Sequence, residues 1–216
     1  GVRAEEARER LAAAGMETAS VLAGGTAAFA DAGGDVVRAL ASNLGIDTIT
    51  LPIDDPFKVT RETVAHVVGH EVTGIARENM QARIRTVYLM TLSNMNGWML
   101  LNTGNKSEAA MGFSTLYGDT AGAFAPLRNV YKTELYELAR WRNTYGEVIP
   151  QAIIDKAPSA ELYDDARDSD RLPPYEDLDD ILQLYLEDGL TADEIVLEGY
   201  TPELVKTVLS AVAKNE

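Results

Sequence analysis

Cysteine is absent from this 216-residue chain. Without thiols the protein cannot form disulfides, use a thiolate nucleophile or hold zinc through cysteines. The lack of disulfides fits a reducing compartment, and we predict a cytoplasmic location.

Long apolar runs are absent as well: no stretch reaches eighteen apolar residues, and residues 1–15 form a charged amphipathic pattern rather than a cleavable signal. We therefore predict a soluble protein that does not enter a membrane.

Basic residues are scarce. The chain has 19 Lys and Arg against 34 Asp and Glu, which gives a net charge of −15. Residues 161–198 hold fourteen acidic residues and two arginines, and so carry a net −12 of that total. Nucleic acids and anionic membranes bind clustered Lys and Arg, so this composition argues against both as partners. The acidic stretch is expected to be a solvated helical face, and any bound phosphate needs a local basic pocket.

The length and the apolar pattern indicate a single α/β domain over residues 1–216. Segments typical of strands at 16–22 and 46–53 flank a helical pattern over 35–45, which is the order of a parallel βαβ unit. Residues 97–103 suit a buried central strand. Further helices are predicted over 71–94, 132–143, 175–189 and 201–216. The predicted fold is a doubly wound, Rossmann-like parallel sheet with a helical C-terminal part.

The turn after the strand predicted at 97–103 holds residues suited to a ligand. In open parallel sheets, ligands bind beyond the carboxyl ends of the strands. Thr103 offers a hydroxyl, Lys106 is a compact cation for phosphate, and Glu108 is a hard oxygen ligand for Mg²⁺. Alternatively, Lys106 and Glu108 are solvated residues of a first helical turn, where the helix dipole favours glutamate. Spacing alone favours this alternative.

Other candidate residues follow along the chain. Asp119 lies in a Gly/Ala-rich stretch that is either a binding loop or an ordinary turn. Lys132 opens a predicted helix, where the dipole disfavours a cation, so its position suggests a bound anion. Ser159, after a proline, is either a helix cap or a phosphate contact. His66 and His70 have the i, i+4 spacing of metal ligands, but their Val-rich surroundings favour histidines in the core or on a helix face.

Four blocks of sequence carry a family resemblance. They are RENMQARIR at 77–85, LLNTGNKSEAAMGFSTLYGDTAGAFAPL at 100–127, VYKTELYELARWRN at 130–143 and KAPSAELYDDARDSDRLPPYEDLDDIL at 156–182. In this order and spacing they resemble the synthetase domain of NAD⁺ synthetase, the glutamine-dependent type in particular. The resemblance is strong over 78–182 and weaker over 35–53. Blocks of this length are far more specific than a short motif.

The resemblance implies an adenine-nucleotide α-hydrolase-like fold and a homodimer built partly on the 71–94 helix. It implies a ligase of NAD biosynthesis that uses ATP and Mg²⁺ to adenylate nicotinic acid adenine dinucleotide, after which ammonia displaces AMP to give NAD⁺. The ammonia comes from free ammonium or, through a glutaminase domain or subunit, from glutamine. The residues carried over are Thr103, Lys132 and Ser159 for ATP, Glu108 for Mg²⁺, and Arg83 and Asp119 for the dinucleotide.

The sequence departs from the family pattern at both ends. The Ser-Gly-Gly-x-Asp-Ser nucleotide loop is missing, since neither Gly24-Gly25 nor Gly33-Gly34 is followed by Asp-Ser. A basic Tyr-Lys-Arg tail and a preceding glutaminase domain are also missing. We therefore expect a chain that is truncated or degenerate at both ends and is inactive by itself. The alternative is a non-catalytic paralogue that acts as a nucleotide-binding, dimerisation or regulatory module. A different ATP-pyrophosphatase amidotransferase is a further alternative, against which the blocks GNKSE and LPPYEDLDDIL argue.

Overall fold

The computed structural model describes residues 32–159 and 167–215. In these two segments the chain forms a series of α-helices, with a 3₁₀ turn at Asp168–Asp170. They are α1 (Ala32–Asn43), α2 (Asp54–Val68), α3 (Gly74–Asn96), α4 (Lys106–Ala110), α5 (Lys132–Asn143), α6 (Gln151–Asp155), α7 (Tyr175–Leu186), α8 (Ala192–Leu197) and α9 (Pro202–Asn215). None of them combines the length and apolar character that a membrane-spanning helix needs.

The predicted long helix is confirmed as α3, a few residues later than expected at each end. It ends at Gly97, whose φ of 66° is a left-handed conformation that glycine adopts without steric cost. Helix α2, which packs against α3, ends in the same way at Gly69. Helix α2 has no buried residue, and α3 buries only Glu78 and Ala82. Among residues 32–159 and 167–215, these two helices therefore contribute little to a core.

The predicted parallel sheet is present in the described residues only as one parallel bridge, between Leu101 and Phe124. The Asn102 N–H donates to the Phe124 carbonyl and the Ala123 N–H to the Leu100 carbonyl, both at 2.8 Å. The strand predicted at 46–53 is wrong for this structure, because that segment forms neither strand nor bridge. A strand exists only through hydrogen bonds to a neighbour, and the neighbour predicted at 16–22 lies outside the described residues.

The core lies among the C-terminal helices. Fully buried apolar side chains come from α7, α8 and α9: Leu178, Ile181, Leu182, Ile195, Val205 and Val208. Helix α7 turns its apolar stripe inwards and leaves Glu176 and Asp180 exposed, as expected for the acidic stretch. Asp179 on the same helix is the exception, because it is buried. Helix α8, opened by Thr191 as N-cap, was not predicted as a separate element.

Candidate functional site

Asn102 holds the turn between the bridge and α4. Its side-chain amide donates to the Asp119 carbonyl, and its side-chain oxygen accepts from the Gly104 N–H, both at 2.8 Å. The side chain is buried, so these bonds form in a site with little water to compete. Turn 102–105 and loop 115–121 are therefore fastened together at one residue.

Glu108 has a structural contact on one carboxylate oxygen and faces a cation with the other. Asn105, the N-cap of α4, accepts from the Glu108 N–H at 2.9 Å, and its own N–H donates to Glu108 Oε2 at 3.2 Å. This is a capping box, so the alternative that explains Glu108 as a residue of a first helical turn is correct in part. Its Oε1 lies 3.2 Å from Lys132 Nζ.

Lys106 takes no part in that pair. Its Nζ lies 2.6 Å from a Glu187 carboxylate oxygen and 4.6 Å from the centre of the Tyr131 ring. An ion pair combined with a cation–π contact holds the side chain against the C-terminal end of α7. Lys106 is therefore not the solvated residue of the alternative, because its side chain is only 18% exposed and is held by contacts within the chain.

Lys132 is the first residue of α5, as predicted from the sequence. Both partners of the Lys132–Glu108 pair are partly buried, with side-chain exposures of 20% and 23%. Lys132 Nζ also lies 5.5 Å from the centre of the Tyr175 ring. Burial, followed by the charge of Asp168, raises the pKa of Tyr175, so its hydroxyl stays protonated and donates to Asp168 at 2.8 Å. The pair thus combines an oxygen donor for a metal with a cation for a phosphate.

A buried network beneath this pair was missed by the sequence reasoning. Asp179 accepts hydrogen bonds from Ser107, at 2.5 Å, and from both the hydroxyl and the N–H of Thr133, at 2.9 Å each. The signal was available, because Tyr175, Leu178, Asp179 and Leu182 follow the i, i+3, i+4, i+7 spacing of one helix face. The many acidic residues of 161–198 obscured this helix-face spacing.

Thr103 and Asp119 come together on the other side of the turn. Both line a cavity of about 30 Å³ between the bridge and α3, which is room for about one water molecule. One Asp119 oxygen accepts from the Thr115 N–H at 2.6 Å and so closes the loop. Arg83 on α3 donates from Nε to the Leu116 carbonyl of that loop at 3.0 Å. Arg83, Asp119 and Thr103 are therefore grouped about one loop.

Ser159 is the last residue described before 167, and it is half-buried. Its neighbour Pro158 accepts from the Asp168 N–H at 3.0 Å, and Asp168 is the residue that accepts from Tyr175. Ser159 is thus linked to the surroundings of Lys132 through these contacts.

Glu108 is the residue that fits a metal ion. In residues 32–159 and 167–215 no three His, Asp or Glu side chains gather into a metal-binding cluster. Mg²⁺ commonly binds proteins through one or two carboxylates together with substrate phosphates, so a single carboxylate beside a lysine, whose charge suits a phosphate, fits it. His66 and His70 lie at the end of α2 and just beyond it, and His70 contacts the Glu71 carbonyl.

Comparison with known proteins identifies the family. Residues 26–216 match the model of the NAD synthase family. A glutamine-dependent NAD(+) synthetase from Thermotoga maritima is 49% identical over 181 residues, which cover 83% of this chain and 31% of the relative. This chain therefore spans about a third of the length of that relative.

Two solved structures share the fold. One is a glutamine-dependent NAD⁺ synthetase from Acinetobacter baumannii in complex with ADP, with a TM-score of 0.57, 34% identity, and coverage of 88% of this chain and 34% of that one. The other is an NMN synthetase from Francisella tularensis, with a TM-score of 0.68, 25% identity, and coverage of 84% and 68%. The family match covers most of the chain and includes the turn, the ion pair and the buried network. The chain belongs to the NAD synthase family.

Proposed function

We propose that this chain takes part in the ATP-dependent conversion of nicotinic acid adenine dinucleotide to NAD⁺. The observation that carries the proposal is the partly buried Glu108–Lys132 pair, at the adjoining N-termini of α4 and α5. Within the NAD synthase family, the Acinetobacter relative is described in complex with ADP, which supports an adenine nucleotide as the ligand.

In this proposal the two residues exchange partners when the nucleotide binds. Lys132 leaves Glu108 and donates to the phosphates, and Glu108 Oε1 becomes available as an oxygen ligand for Mg²⁺. A bound Mg²⁺ withdraws negative charge from the phosphates. Glu108 Oε2 stays in the capping box, so the carboxylate keeps its orientation while its other oxygen changes partner. Thr103 and Ser159 contribute further contacts to ATP.

The chemistry then proceeds in two displacements. A substrate carboxylate oxygen attacks the α-phosphorus of ATP, a P–O bond forms, and pyrophosphate leaves. Ammonia next attacks the activated carbonyl carbon, the C–O bond to AMP breaks, and the nitrogen loses a proton to give the amide. Arg83 and Asp119, at the loop beside α3, are proposed to hold the dinucleotide. The ammonia is supplied as ammonium or by a glutaminase domain or subunit.

We also propose a homodimer through α3. This helix leaves Ile75 and Val87 exposed at 68% and 62%, and Met95 near its end is exposed as well. Large apolar side chains exposed on a long helix are typical of a surface that another protein covers. A second copy of the same helix offers a matching apolar surface.

The nucleotide site is tested by calorimetry of ATP binding to the 216-residue chain in the presence of Mg²⁺. Lys132→Ala and Glu108→Gln are each expected to weaken binding about tenfold or more, because each removes a charged contact to the bound group. Glutamine retains an acceptor for the capping box, so Glu108→Gln is expected to preserve α4.

Lys206→Ala on the exposed side of α9 is the matched control and should bind as the unsubstituted chain does. Unchanged affinity in both site variants contradicts the proposed site. NAD⁺ formation from nicotinic acid adenine dinucleotide, ATP and ammonium is the second readout. Turnover supports catalysis by this chain, and binding without turnover supports a nucleotide-binding module.

A further inference from the structure

Asp179 is a buried carboxylate on an otherwise solvated acidic face. Its exposure is 3%, whereas Glu176 and Asp180 on the same helix are exposed. Burying an ionised carboxylate costs free energy unless hydrogen bonds compensate for the lost water. Three hydrogen bonds compensate for this cost at Asp179, so its contacts show what its burial achieves.

Its contacts join two other helices. One oxygen accepts from the Ser107 hydroxyl of α4, and the other accepts from the N–H and the hydroxyl of Thr133 of α5. A further bond links α4 and α5 directly, because the Lys132 N–H donates to Ser107 Oγ at 2.9 Å. Asp179 and Ser107 thus form a continuous hydrogen-bonded bridge among α4, α5 and α7.

The residues of α4 and α5 that take part in this bridge are sequence neighbours of the proposed site residues. Ser107 immediately precedes Glu108, and Thr133 immediately follows Lys132. A side chain that fixes Ser107 and Thr133 therefore fixes the two neighbouring backbone positions from which Glu108 and Lys132 project. Their charged atoms lie 3.2 Å apart above it.

We propose that Asp179 is a positioning residue: it sets the separation of Glu108 and Lys132 at which one metal–triphosphate group engages both. The inference rests on the proposed nucleotide site and adds a residue to it that does not touch the ligand. A carboxylate suits the task because both of its oxygens accept. An asparagine supplies one acceptor oxygen and one donor amide, so it cannot accept all three bonds, and the bond to Ser107 must reverse its direction or break.

The test is calorimetry of ATP binding in the presence of Mg²⁺ for Asp179→Asn. We expect about tenfold weaker binding, the lower end of the effect of removing a residue that orients a ligand-binding group. Glu176→Gln, the same change of charge at an exposed position of α7, is the matched control and should leave the affinity unchanged. Thermal unfolding of each variant reports whether the fold is retained.

A second measurement separates positioning from a general loss of structure. In a Lys132→Ala background, Asp179→Asn should weaken binding much less than it does alone, because Asp179 acts through Lys132 and Glu108. Additive losses in the double variant overturn the inference. A merely structural role predicts that additivity.

Ser107→Ala keeps the experiment decisive if Asp179→Asn does not fold. It removes the link to the Lys132 N–H but leaves Asp179 bonded to Thr133, and we expect binding about fivefold weaker. Suppose that Lys132→Ala and Glu108→Gln weaken ATP binding. Unchanged ATP binding in Ser107→Ala, or in folded Asp179→Asn, then overturns the role of Asp179 but leaves the proposed nucleotide site intact. Two outcomes overturn the proposed function itself. In one, the unsubstituted chain binds no ATP; in the other, Lys132→Ala and Glu108→Gln bind ATP as tightly as the unsubstituted chain.

Discussion

Helices α7 to α9 and helices α2 and α3 place their apolar side chains differently. The C-terminal helices bury theirs against one another, and Leu178, Ile195 and Val208 have no exposed surface. Helix α2 has no buried residue, and α3 leaves apolar side chains such as Ile75 and Val87 in contact with solvent. Helices α7 and α9 have amphipathic sequences, whereas the apolar residues of α3 are spread around the helix. The difference is that the first region completes its core within the described chain, while the second presents a surface that a partner can cover.

The Glu108–Lys132 pair, on α4 and α5, is anchored to the first region. It rests on Asp179 of α7, and the rest of α7 is fixed by the buried cluster. A binding site is precise when its residues project from elements whose own packing is complete. The second region joins the first through a charged contact, in which Arg171 forms two hydrogen bonds of 2.7 Å with Glu78 of α3.

The largest expected effect contrasts one isoleucine from each region. Ile195→Ala is expected to lower the free energy of unfolding by about 2–5 kcal/mol, because it leaves a cavity in the core. Ile75→Ala is expected to change it by less than about 0.5 kcal/mol at protein concentrations that keep the chain monomeric. Urea unfolding measures both. Equal effects of the two substitutions contradict the distinction between the regions.

The contact between the regions should depend on pH. The hydrogen bonds from Arg171 hold the pKa of Glu78 below its ordinary value of 4.5, against an opposing effect of burial. A lowered pKa in the folded state stabilises the protein above that ordinary value, and this contribution is lost as the pH falls below it. Because the Arg171 side chain is 44% exposed, Glu78→Gln is expected to cost about 1–2 kcal/mol at pH 7.

The measurement is the free energy of unfolding of Glu78→Gln and of the unsubstituted chain at pH 7 and pH 3. The difference between them should shrink at the lower pH. Glu62→Gln, an exposed change on α2, is the control and should be neutral at both. A difference for Glu78→Gln that is the same at both pH values means that the ion pair is not what stabilises this contact.

The smallest effect concerns the exposed surface of α3. Val87→Ser is expected to raise the dimer dissociation constant about fivefold, since part of a buried valine contributes about 1 kcal/mol. Val67→Ser on α2, where the valine is 78% exposed, is the matched change outside the proposed interface. Sedimentation velocity over a range of concentrations measures the dissociation constant. A chain that stays monomeric throughout shows that a second copy does not cover this surface.

The sequence predicted α3, α5, α7 and α9 because their signals are local, but it missed α2, a helix of 15 residues. Helix α5 begins at Lys132 and ends at Asn143, as the amphipathic pattern indicated, and α3 and α9 differ by a few residues at their ends. The strands were predicted less well. Segment 46–53 has the right residue types, but a strand depends on a neighbour that no local pattern specifies.

The site was predicted in part. The family resemblance selected Glu108 and Lys132, which lie in contact, and Thr103 and Asp119, which line one cavity. The capping role of Glu108 follows from the Asn105-x-x-Glu108 spacing. The contact of its other carboxylate oxygen with Lys132 cannot be predicted from that spacing. The spacing of α7 places Asp179 on the buried face, but its contact with Ser107 arises through tertiary packing, which no local pattern specifies.

The bond between Ser107 and Asp179 also bears on how the site comes into being during folding. The two residues are 72 positions apart in the chain, and Thr133 is 46 positions from Asp179. Contacts between such distant residues require large loops to close and tend to form late. Helices α4 and α5 can start to form locally, but Glu108 and Lys132 take up their relative position only when α7 docks. A folding intermediate without docked C-terminal helices therefore lacks the proposed nucleotide site, so nucleotide binding is expected to report completed folding of this region.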